Sequence, residues 1–432
     1  MTRKAPQIIT FGCRLNTYES EVIRTLLENK PGGAQEDTQE QEVPEQDVII
    51  FNTCGVTAEA ERQARQAIRK ARREQPHARI IVTGCAAQMN PQTYGAMDEV
   101  DLVLGNEEKL KAESYRWHPE QETLQVNDIL SVRETALHLV SGFENKARAF
   151  IQVQNGCNHR CTFCRIPFGR GNSRSVPLGE IVSACTHLTS QGYQEIVLTG
   201  VDITDYGGDL PGKPTLGQAV RRLLALVPGI KRLRLSSLDP VEMDDDLLTV
   251  ICSDTRLMPH IHLSVQSGDN LILKRMKRRH LREDVIDICT RIQTRRPEVV
   301  FGADIIAGFP TETEDMFQQS LRLVEEIPLV HLHVFPYSAH VGTPAARMPQ
   351  VPKPLIKERA ARLRALGEKQ LSTFLNSLTG QQVHILVEQD NKGHTETFAK
   401  AQVLGEVQQP GTLISGKVSR VEKSTLICEA GA

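Results

Sequence analysis

Short apolar runs alternate with amphipathic helical stretches over about residues 5–140. The predicted strands are Gln7 to Phe11, Asp47 to Phe51, Arg79 to Val82 and Asp101 to Leu104. Helical spacing covers Thr17 to Asn29 and Ala58 to Glu74, whereas the acidic stretch Glu36 to Asp47 indicates an exposed loop. Strands that alternate with helices are typical of a parallel sheet wrapped by helices. This region is therefore predicted to be a small doubly wound α/β domain.

The same strand-then-helix unit repeats six times over about residues 146–350. Its predicted strands are Ala149 to Val153, Glu195 to Leu198, Arg232 to Leu235, His260 to Val265, Phe301 to Ile306 and His331 to Phe335. A closed eight-unit barrel needs about 250 residues, and this region offers about 200. The pattern therefore predicts a partial (β/α)6 barrel.

The last part of the chain changes from helical to alternating patterns. A helical connector is predicted from Pro354 to Leu378. After Gly380, runs that alternate apolar and polar residues at Val383 to Val387, Phe398 to Val403 and Thr412 to Val418 predict a small antiparallel β-barrel. Such a barrel is typical of an appended binding module. The predicted domains are residues 1–140, residues 143–375 including the connector, and residues 376–432.

Composition narrows the class of protein. The chain has 432 residues, of which 40% are hydrophobic and 24% are charged. It contains no apolar run near the roughly 20 residues that span a bilayer, and the first residues form no apolar secretory segment. We therefore expect a cytoplasmic protein without a membrane partner. In such a reducing compartment, clustered cysteines more often bind metal or do chemistry than form disulfides.

Net charge carries no global signal for nucleic acid, because the formal charge at pH 7 is −2. Basic residues are nevertheless concentrated on the helix at residues 58–74 and in the run from Lys274 to His280. Such runs are usually solvated helix faces, and contact with RNA is the alternative.

Three of the ten cysteines form a C-x3-C-x2-C loop directly after the first strand of the second region: Cys157, Cys161 and Cys164. Three thiolates on a [4Fe–4S] cluster leave one iron open for a substrate or cofactor. The alternative is a structural zinc site with His159 or another residue as the fourth ligand. His159 is a poor fourth ligand, because it lies inside the three-residue gap between two of the thiolates.

Three further cysteines each follow a predicted strand of the first region: Cys13, Cys54 and Cys85. Carboxyl ends of parallel strands meet at one edge of a sheet, where ligands bind, so these cysteines are expected to converge. A glycine flanks each of them and would allow close approach to a bulky cluster. A single buried cysteine is usually a small hydrophobic filler, which is how we interpret Cys185, Cys252, Cys289 and Cys428.

At these residues the sequence resembles the methylthiotransferase family of radical S-adenosylmethionine enzymes, over nearly the whole chain. The loop alone indicates only the broad radical superfamily. The second cysteine trio, Ile166 to Gly171 and the C-terminal barrel, which is similar to the TRAM domain, narrow the resemblance. Gly12 to Ser20 is most similar to the branch acting on N6-threonylcarbamoyladenosine. One departure is Arg174-Ser175-Val176, where many relatives have Arg-Ser-Arg.

The resemblance implies two [4Fe–4S] clusters and S-adenosylmethionine as cofactors. S-adenosylmethionine would bind the open iron of the loop cluster and yield a 5′-deoxyadenosyl radical. The second cluster would carry the sulfur that is methylated and transferred to C2 of adenine. The implied partners are tRNA, bound at its anticodon stem-loop, and an electron donor such as a flavodoxin or ferredoxin.

Position in the barrel suggests contacts to S-adenosylmethionine, because such barrels place their sites at the carboxyl ends of strands. Phe163 is predicted to pack on the adenine. The predicted polar contacts are Ser236, Ser237, Gln266, Ser267 and Gly308, for which ordinary strand-end capping is the alternative. Arg170 and Arg174 are candidates for holding a substrate phosphate or the cofactor carboxylate. No residue is predicted to be a catalytic acid or base.

Three other functions stay open at this point. A methylthiotransferase acting on a ribosomal protein, or on N6-isopentenyladenosine of tRNA, would share both clusters. A non-enzymatic RNA-binding protein with structural zinc is a rival of another class. About eight irons per chain, as two clusters require, would exclude the last of these.

Overall fold

A computed structural model describes residues 6–28, 47–116, 122–133, 135 and 147–431. The described chain divides into two compact units. The first comprises residues 1–141, 155–159 and 164–174, and the second comprises residues 142–154, 160–163 and 175–432. The predicted three-domain division stays a prediction. The acidic stretch at residues 36–46 lies outside the described residues.

The first unit contains a parallel sheet. Its strands are β1 (Gln7–Thr10), β2 (Val48–Thr53), β3 (Arg79–Gly84), β4 (Leu102–Leu104) and β5 (Leu124–Gln125), in that spatial order among the described residues. Its helices are α1 (Arg14–Glu28), α2 (Ala58–Glu74), α3 (Cys85–Met89) and α4 (Pro91–Gly95). All four predicted strands and both predicted helices are present, with ends that differ by up to three residues.

Helices cover both faces of this sheet, as the doubly wound prediction requires. Ile23 of α1 packs with Ile50 and Ile81 on one face. Ile68 of α2 packs with Phe51 and Val82 on the other. Successive residues of a strand point to opposite faces, so buried strands with two apolar sides carry continuous apolar runs.

Gly84 ends β3 at a φ of +96°, immediately before Cys85. A Cβ atom at this position would lie 2.3 Å from the Thr53 carbonyl oxygen. Gly84→Ala is therefore expected to lower the free energy of unfolding by about 2 kcal/mol or more, through a strained φ and a backbone overlap. Gly179→Ala is the matched control, because Gly179 lies in a helix and its added Cβ would have no contact within 4 Å among the residues that the structure describes. Equal urea denaturation midpoints for the two variants would contradict this account of Gly84.

The second unit begins with β6 (Arg148–Gln152). Along the chain follow β7 (Gln154–Asn155), then α5 (Ile166–Arg170), which belongs to the first unit, and then β8 (Arg174–Ser175). Next come α6 (Leu178–Ser190), β9 (Glu195–Thr199), α7 (Leu216–Leu226), β10 (Arg232–Leu235), α8 (Asp245–Ser253), β11 (His260–Gln266), α9 (Asn270–Met276), α10 (Arg282–Arg295), β12 (Val300–Ala307), α11 (Glu314–Glu326) and β13 (Leu329–Pro336). All six predicted barrel strands are present.

Six of these strands form two parallel three-stranded sheets, ordered β10-β9-β6 and β11-β12-β13. Two parallel bridges, Leu233 to Leu257 and Leu238 to Leu263, join the sheets at the β10 and β11 edges. The order β6-β9-β10-β11-β12-β13 is the arrangement expected of the predicted partial barrel. All six strands run in one direction, so their carboxyl ends lie at the same end of the barrel.

The chain continues through α12 (Lys353–Ser377) into a closed five-stranded barrel. Its strands are β14 (Gln382–Gln389), β15 (Lys392–His394), β16 (Lys400–Leu404), β17 (Leu413–Glu422) and β18 (Thr425–Ala430). The prediction of a small antiparallel barrel is confirmed with one difference, since β16 pairs with β18 in parallel. Closure removes the exposed strand edges that so small a sheet would otherwise present.

This small barrel packs on the amino ends of the β6, β9 and β10 strands. Glu195, which begins β9, is buried, and its carboxylate pairs with Arg148 at 2.8 Å, Arg234 at 2.9 Å and Arg232 at 3.0 Å. Arg234 also donates to the carbonyl oxygens of Thr395 and Glu396 at 2.7 and 2.9 Å. The amino end of the central barrel is thus a docking face, and its carboxyl end carries the candidate site.

Candidate iron–sulfur and S-adenosylmethionine sites

None of the ten cysteines forms a disulfide. Cys13 follows β1, Cys54 follows β2 and Cys85 follows β3, so each lies just beyond the carboxyl end of one of three neighbouring strands. The thiols of Cys85 and Cys13 lie close enough to Cys54 to affect its ionisation. The structure therefore brings these three cysteines together at one edge of the sheet.

The backbone around this trio is shaped for close approach. Gly12 has a φ of +97°, and a Cβ atom there would lie 2.6 Å from the Cys54 Cβ and 2.8 Å from its Sγ. Only glycine lets the main chain before Cys13 lie against Cys54 in this conformation. These three thiol groups lie at one edge of the sheet, and the buried guanidinium of Arg170 is directed at the Cys85 thiol. This arrangement fits an anionic metal cluster.

The three thiols differ in accessibility. Cys13 is exposed, whereas Cys54 is only 7% exposed. The pKa of the Cys54 thiol is raised to about 11, chiefly by burial and also by the neighbouring thiols of Cys85 and Cys13. At pH 8, only about one in a thousand of such thiol groups is ionised. Because the thiolate is the nucleophile, Cys54 should react slowly.

This difference predicts the order of alkylation in protein purified without iron. With iodoacetamide at pH 8, Cys13 should be modified at least tenfold faster than Cys54, as followed by peptide mass spectrometry. Cys185 serves as a slow reference, because burial raises the pKa of its thiol to about 12. Unfolding in urea should equalise the three rates. Faster modification of Cys54 than of Cys13 in the folded chain would contradict this interpretation.

Hydrogen bonds fix the C-x3-C-x2-C loop within each of the two units. In the first unit, the Cys157 amide donates to the Gly171 carbonyl at 3.1 Å, and the Ile166 amide donates to the Cys164 Sγ at 3.4 Å. In the second unit, the Thr162 amide donates to the Met276 carbonyl at 3.0 Å. The Thr162 carbonyl accepts from the Ala345 amide at 3.0 Å, which fixes the segment next to Cys161.

Arg278 is a neighbour of Cys161 that sequence reasoning missed. Its Nη1 lies 3.8 Å from the Cys161 Sγ, and its Nη2 donates to Asp239 at 2.6 Å and to the Ser264 carbonyl at 2.9 Å. The run from Lys274 to His280 was expected to be a solvated helix face. That expectation is wrong for Met276 and His280, which are buried, and for Arg278, whose side chain is only 9% exposed. An Arg within a basic run carries no sequence signal that separates a buried role from a solvated one.

The residues proposed to contact S-adenosylmethionine lie at the carboxyl ends of barrel strands. Ser236 follows β10, Gln266 ends β11 and Gly308 follows β12. The Ser236 hydroxyl is buried and has no hydrogen-bond partner within the described residues, so it is available to a ligand. Phe163 packs edge-to-face on Phe309 with ring centroids 6.3 Å apart, which fixes the position of its ring.

The other residues of this set have local roles in the structure. The Ser267 hydroxyl accepts from the Asp269 amide at 3.2 Å, and the Gly308 amide donates to Glu312 at 3.0 Å. Gln266 has a φ of +71° and lies at a register shift between β11 and β12. Ser237 is half-buried. These contacts support the capping alternative for Ser267 and Gly308 without testing ligand binding.

Arg170 and Arg174 do not extend toward a substrate phosphate. Both are buried. Arg174 Nη2 donates to the Arg170 carbonyl at 3.0 Å, and Arg170 donates to Glu19 and to the Cys85 thiol. The prediction that these two arginines hold a substrate phosphate or the cofactor carboxylate is therefore corrected. Both guanidinium groups donate to acceptors within the first unit.

A second polar group on the barrel strands was also missed. Asp304 of β12 lies 2.9 Å from His262 Nε2 on β11 and 3.2 Å from His333 Nδ1 on β13. Burial acts to raise the pKa of Asp304, but these two histidines hold it well below its ordinary range. The available signal was the His-x-His pattern at residues 260–262 and 331–333, which places alternate residues on one face of each strand.

Two family models match the chain. Residues 6–105 match the uncharacterized protein family UPF0004, and residues 151–324 match the radical SAM superfamily. The chain is 54% identical over 422 residues to the threonylcarbamoyladenosine tRNA methylthiotransferase MtaB of Rickettsia prowazekii, covering 98% of this chain and 96% of that protein. The chain belongs to the radical S-adenosylmethionine methylthiotransferase family. The resemblance drawn from the cysteine motifs is confirmed.

A second full-length relative and one solved structure are also similar to this methylthiotransferase. MtaB of Aquifex aeolicus is 36% identical over 418 residues, covering 95% of this chain and 98% of that protein. The radical S-adenosylmethionine methyltransferase TsrM of Kitasatospora setae superposes with a TM-score of 0.52 at 15% identity, covering 69% of this chain and 66% of TsrM. At that identity the likeness supports the fold alone. Among the described residues, no helix has both the length and the apolar character that crossing a membrane requires.

Proposed function

We propose that this methylthiotransferase adds a methylthio group to C2 of N6-threonylcarbamoyladenosine, next to the anticodon of tRNA. The observation that carries the proposal is the convergence of Cys13, Cys54 and Cys85, since three thiolates would leave one iron of a second cluster open to carry the sulfur. Relatives at 54% and 36% identity that carry this activity in their names support the choice of nucleoside.

Six cysteines would hold the two [4Fe–4S] clusters: Cys13, Cys54 and Cys85 for one, and Cys157, Cys161 and Cys164 for the other. When bound, the clusters and S-adenosylmethionine supply reductive sulfonium cleavage, radical chemistry and the sulfur that is transferred. The protein orients these groups and excludes water. Three protein thiolates per cluster, rather than four, leave one coordination position for each exogenous ligand.

The second unit would orient S-adenosylmethionine. Ser236 offers a buried hydroxyl without a hydrogen-bond partner in the described part of the chain, and Phe163 offers a ring whose position Phe309 fixes. Ser237, Gln266, Ser267 and Gly308 complete the proposed set at the carboxyl ends of the strands. Arg278 donates at the Cys161 thiol and is itself fixed by Asp239, so it would hold that ligand in place.

The tRNA would be bound at its anticodon stem-loop, with phosphate contacts from the C-terminal barrel and the basic helix α2. Such contacts make binding weaken as salt rises. A base in a single-stranded loop is already accessible to a protein site. The proposed compartment is the cytoplasm, and a flavodoxin or ferredoxin is the proposed electron donor.

Anaerobic reconstitution tests the proposal. Iron-loaded enzyme, S-adenosylmethionine, reductant and tRNA that contains N6-threonylcarbamoyladenosine should yield its 2-methylthio derivative, as measured by nucleoside mass spectrometry. Matched reactions contain tRNA with N6-isopentenyladenosine, or ribosomal protein. Modification of either of these in place of the first substrate would overturn the substrate assignment, and zinc without iron in anaerobically purified protein would overturn the enzyme.

A further inference from the structure

Arg170 is buried in the first unit and donates four hydrogen bonds there. Its Nε donates to the Cys85 Sγ at 3.1 Å. Its two Nη groups donate to the two carboxylate oxygens of Glu19 at 2.5 and 3.0 Å, and Nη2 also donates to Asn16 Oδ1 at 2.5 Å. A guanidinium held by both oxygens of a carboxylate has a fixed direction, so the Nε–H of Arg170 is aimed at the Cys85 thiol.

Lys109 donates to the same Glu19 carboxylate. Its Nζ donates to Glu19 at 2.6 Å and to Asn106 Oδ1 at 2.7 Å, with Asn52 Oδ1 at 3.5 Å. Three acceptors around Nζ match the three protons of an ammonium group. The Asn106 amide in turn lies 3.8 Å from the Cys85 Sγ. We call Asn16, Glu19, Asn106, Lys109 and Arg170 the Arg170 cluster.

The charges of the Arg170 cluster do not cancel. Burial acts to raise the pKa of Glu19, but Arg170 and Lys109 hold it below its ordinary value, so the carboxyl group is ionised. Burial lowers the pKa of Lys109, but its three acceptors, which include the Glu19 carboxylate, fit an ammonium group. With Lys109 in that form, two cations face one carboxylate, which leaves one positive charge in a fully buried place. An uncompensated buried charge is costly, so such an arrangement requires a nearby anion. The thiol group that Arg170 touches is where that anion belongs.

We propose that Arg170 is a positioning residue that holds Cys85 as a cluster ligand, and that the surplus positive charge of the Arg170 cluster raises the reduction potential of the N-terminal iron–sulfur cluster. This inference rests on the proposed function, in which Cys13, Cys54 and Cys85 hold that cluster. Hydrogen bonds to the ligating sulfurs and the local net charge both set such potentials. Positive charge stabilises the reduced form, because reduction adds one negative charge.

The test uses full-length protein in which Cys157, Cys161 and Cys164 are replaced by alanine, so that only the N-terminal cluster is present. Iron content is measured first. Reductive titration with dithionite, followed by electron paramagnetic resonance, then gives the midpoint potential. Arg170→Met removes a positive charge and should shift the potential to a more negative value. Glu19→Gln removes a negative charge and should shift it to a more positive value.

Two further variants separate charge from shape. Arg170→Lys keeps the charge but loses the fork, so its potential should lie nearer the parent value than that of Arg170→Met. Arg72→Met is the matched control: Arg72 is a partly buried arginine of the same unit that donates to backbone carbonyls and Asp101. It should leave the potential unchanged. A merely structural role for the Arg170 cluster would not give shifts of opposite sign.

The outcomes are distinguishable. Shifts of opposite sign for Arg170→Met and Glu19→Gln support the inference. Iron-loaded variants with an unchanged potential, or with shifts of the same sign, overturn the inference and leave the proposed function standing. A parent protein that binds no iron through its N-terminal cysteines overturns the proposed function, and the inference fails with it.

Discussion

Cys13→Ala is expected to reduce methylthiolated tRNA by more than about a hundredfold while 5′-deoxyadenosine is still formed from S-adenosylmethionine. Mutation of a residue that only supports a metal ligand already lowers metal affinity or activity about 10–100-fold. Loss of a ligand itself is a larger change. Cys161→Ala should abolish both products. In the proposed function the two trios serve separate steps, so only the loop trio would be needed for cleavage of S-adenosylmethionine.

Liquid chromatography with mass detection of both products checks this prediction. Cys252→Ala is the control, because Cys252 is half-buried on α8 and belongs to neither trio. It should retain full activity. Undiminished methylthiolation by Cys13→Ala would show that Cys13 does not hold the sulfur-donating cluster, whatever the outcome for Cys161.

Glu195→Ala is expected to lower the free energy of unfolding by about 3–5 kcal/mol, because it leaves the guanidinium groups of Arg148, Arg232 and Arg234 buried without their shared carboxylate. Burial acts to raise the pKa of Glu195, yet Arg234, Arg148 and Arg232 hold it below the ordinary value of 4.5. Its contribution is therefore complete above about pH 4.5 and is lost as the pH falls through the lower folded-state value.

Urea denaturation at pH 7, together with limited proteolysis, measures this effect. Arg234 links Glu195 to Thr395 and Glu396 of the C-terminal barrel, so that barrel should become the more readily cleaved part of the variant. Glu195→Gln should be intermediate. Asp246→Ala, which removes an exposed partner of Arg221, is the control and should change little. A Glu195→Ala chain as stable as this control would contradict the account.

The two trios of cysteines illustrate what sequence patterns can predict about a site. Cys13, Cys54 and Cys85 were predicted to converge because parallel strands end at one edge, and the structure places them so. The strands themselves were predictable since buried parallel strands carry dense apolar runs. Residue types with few alternative uses, such as three cysteines at equivalent strand ends, make such inferences strong.

The polar residues around those cysteines were not predictable. Glu19 and Lys109 are 90 residues apart, and nothing in the sequence pattern pairs them, yet their side chains meet in a buried ion pair. Arg170 was expected to face a phosphate or the cofactor and instead contacts Glu19. Charged residues have many partners in sequence, and only packing decides which partner is reached.

The sequence by itself determined the order of strands and helices, the cysteine ligand candidates and the family, because periodicity and short motifs are local properties. Only the tertiary structure decided which charges are buried together, such as Glu195 with three arginines and Glu19 with Arg170 and Lys109. The physical reason is that burial makes an unpaired charge costly, and burial depends on the packing of segments far apart in the chain.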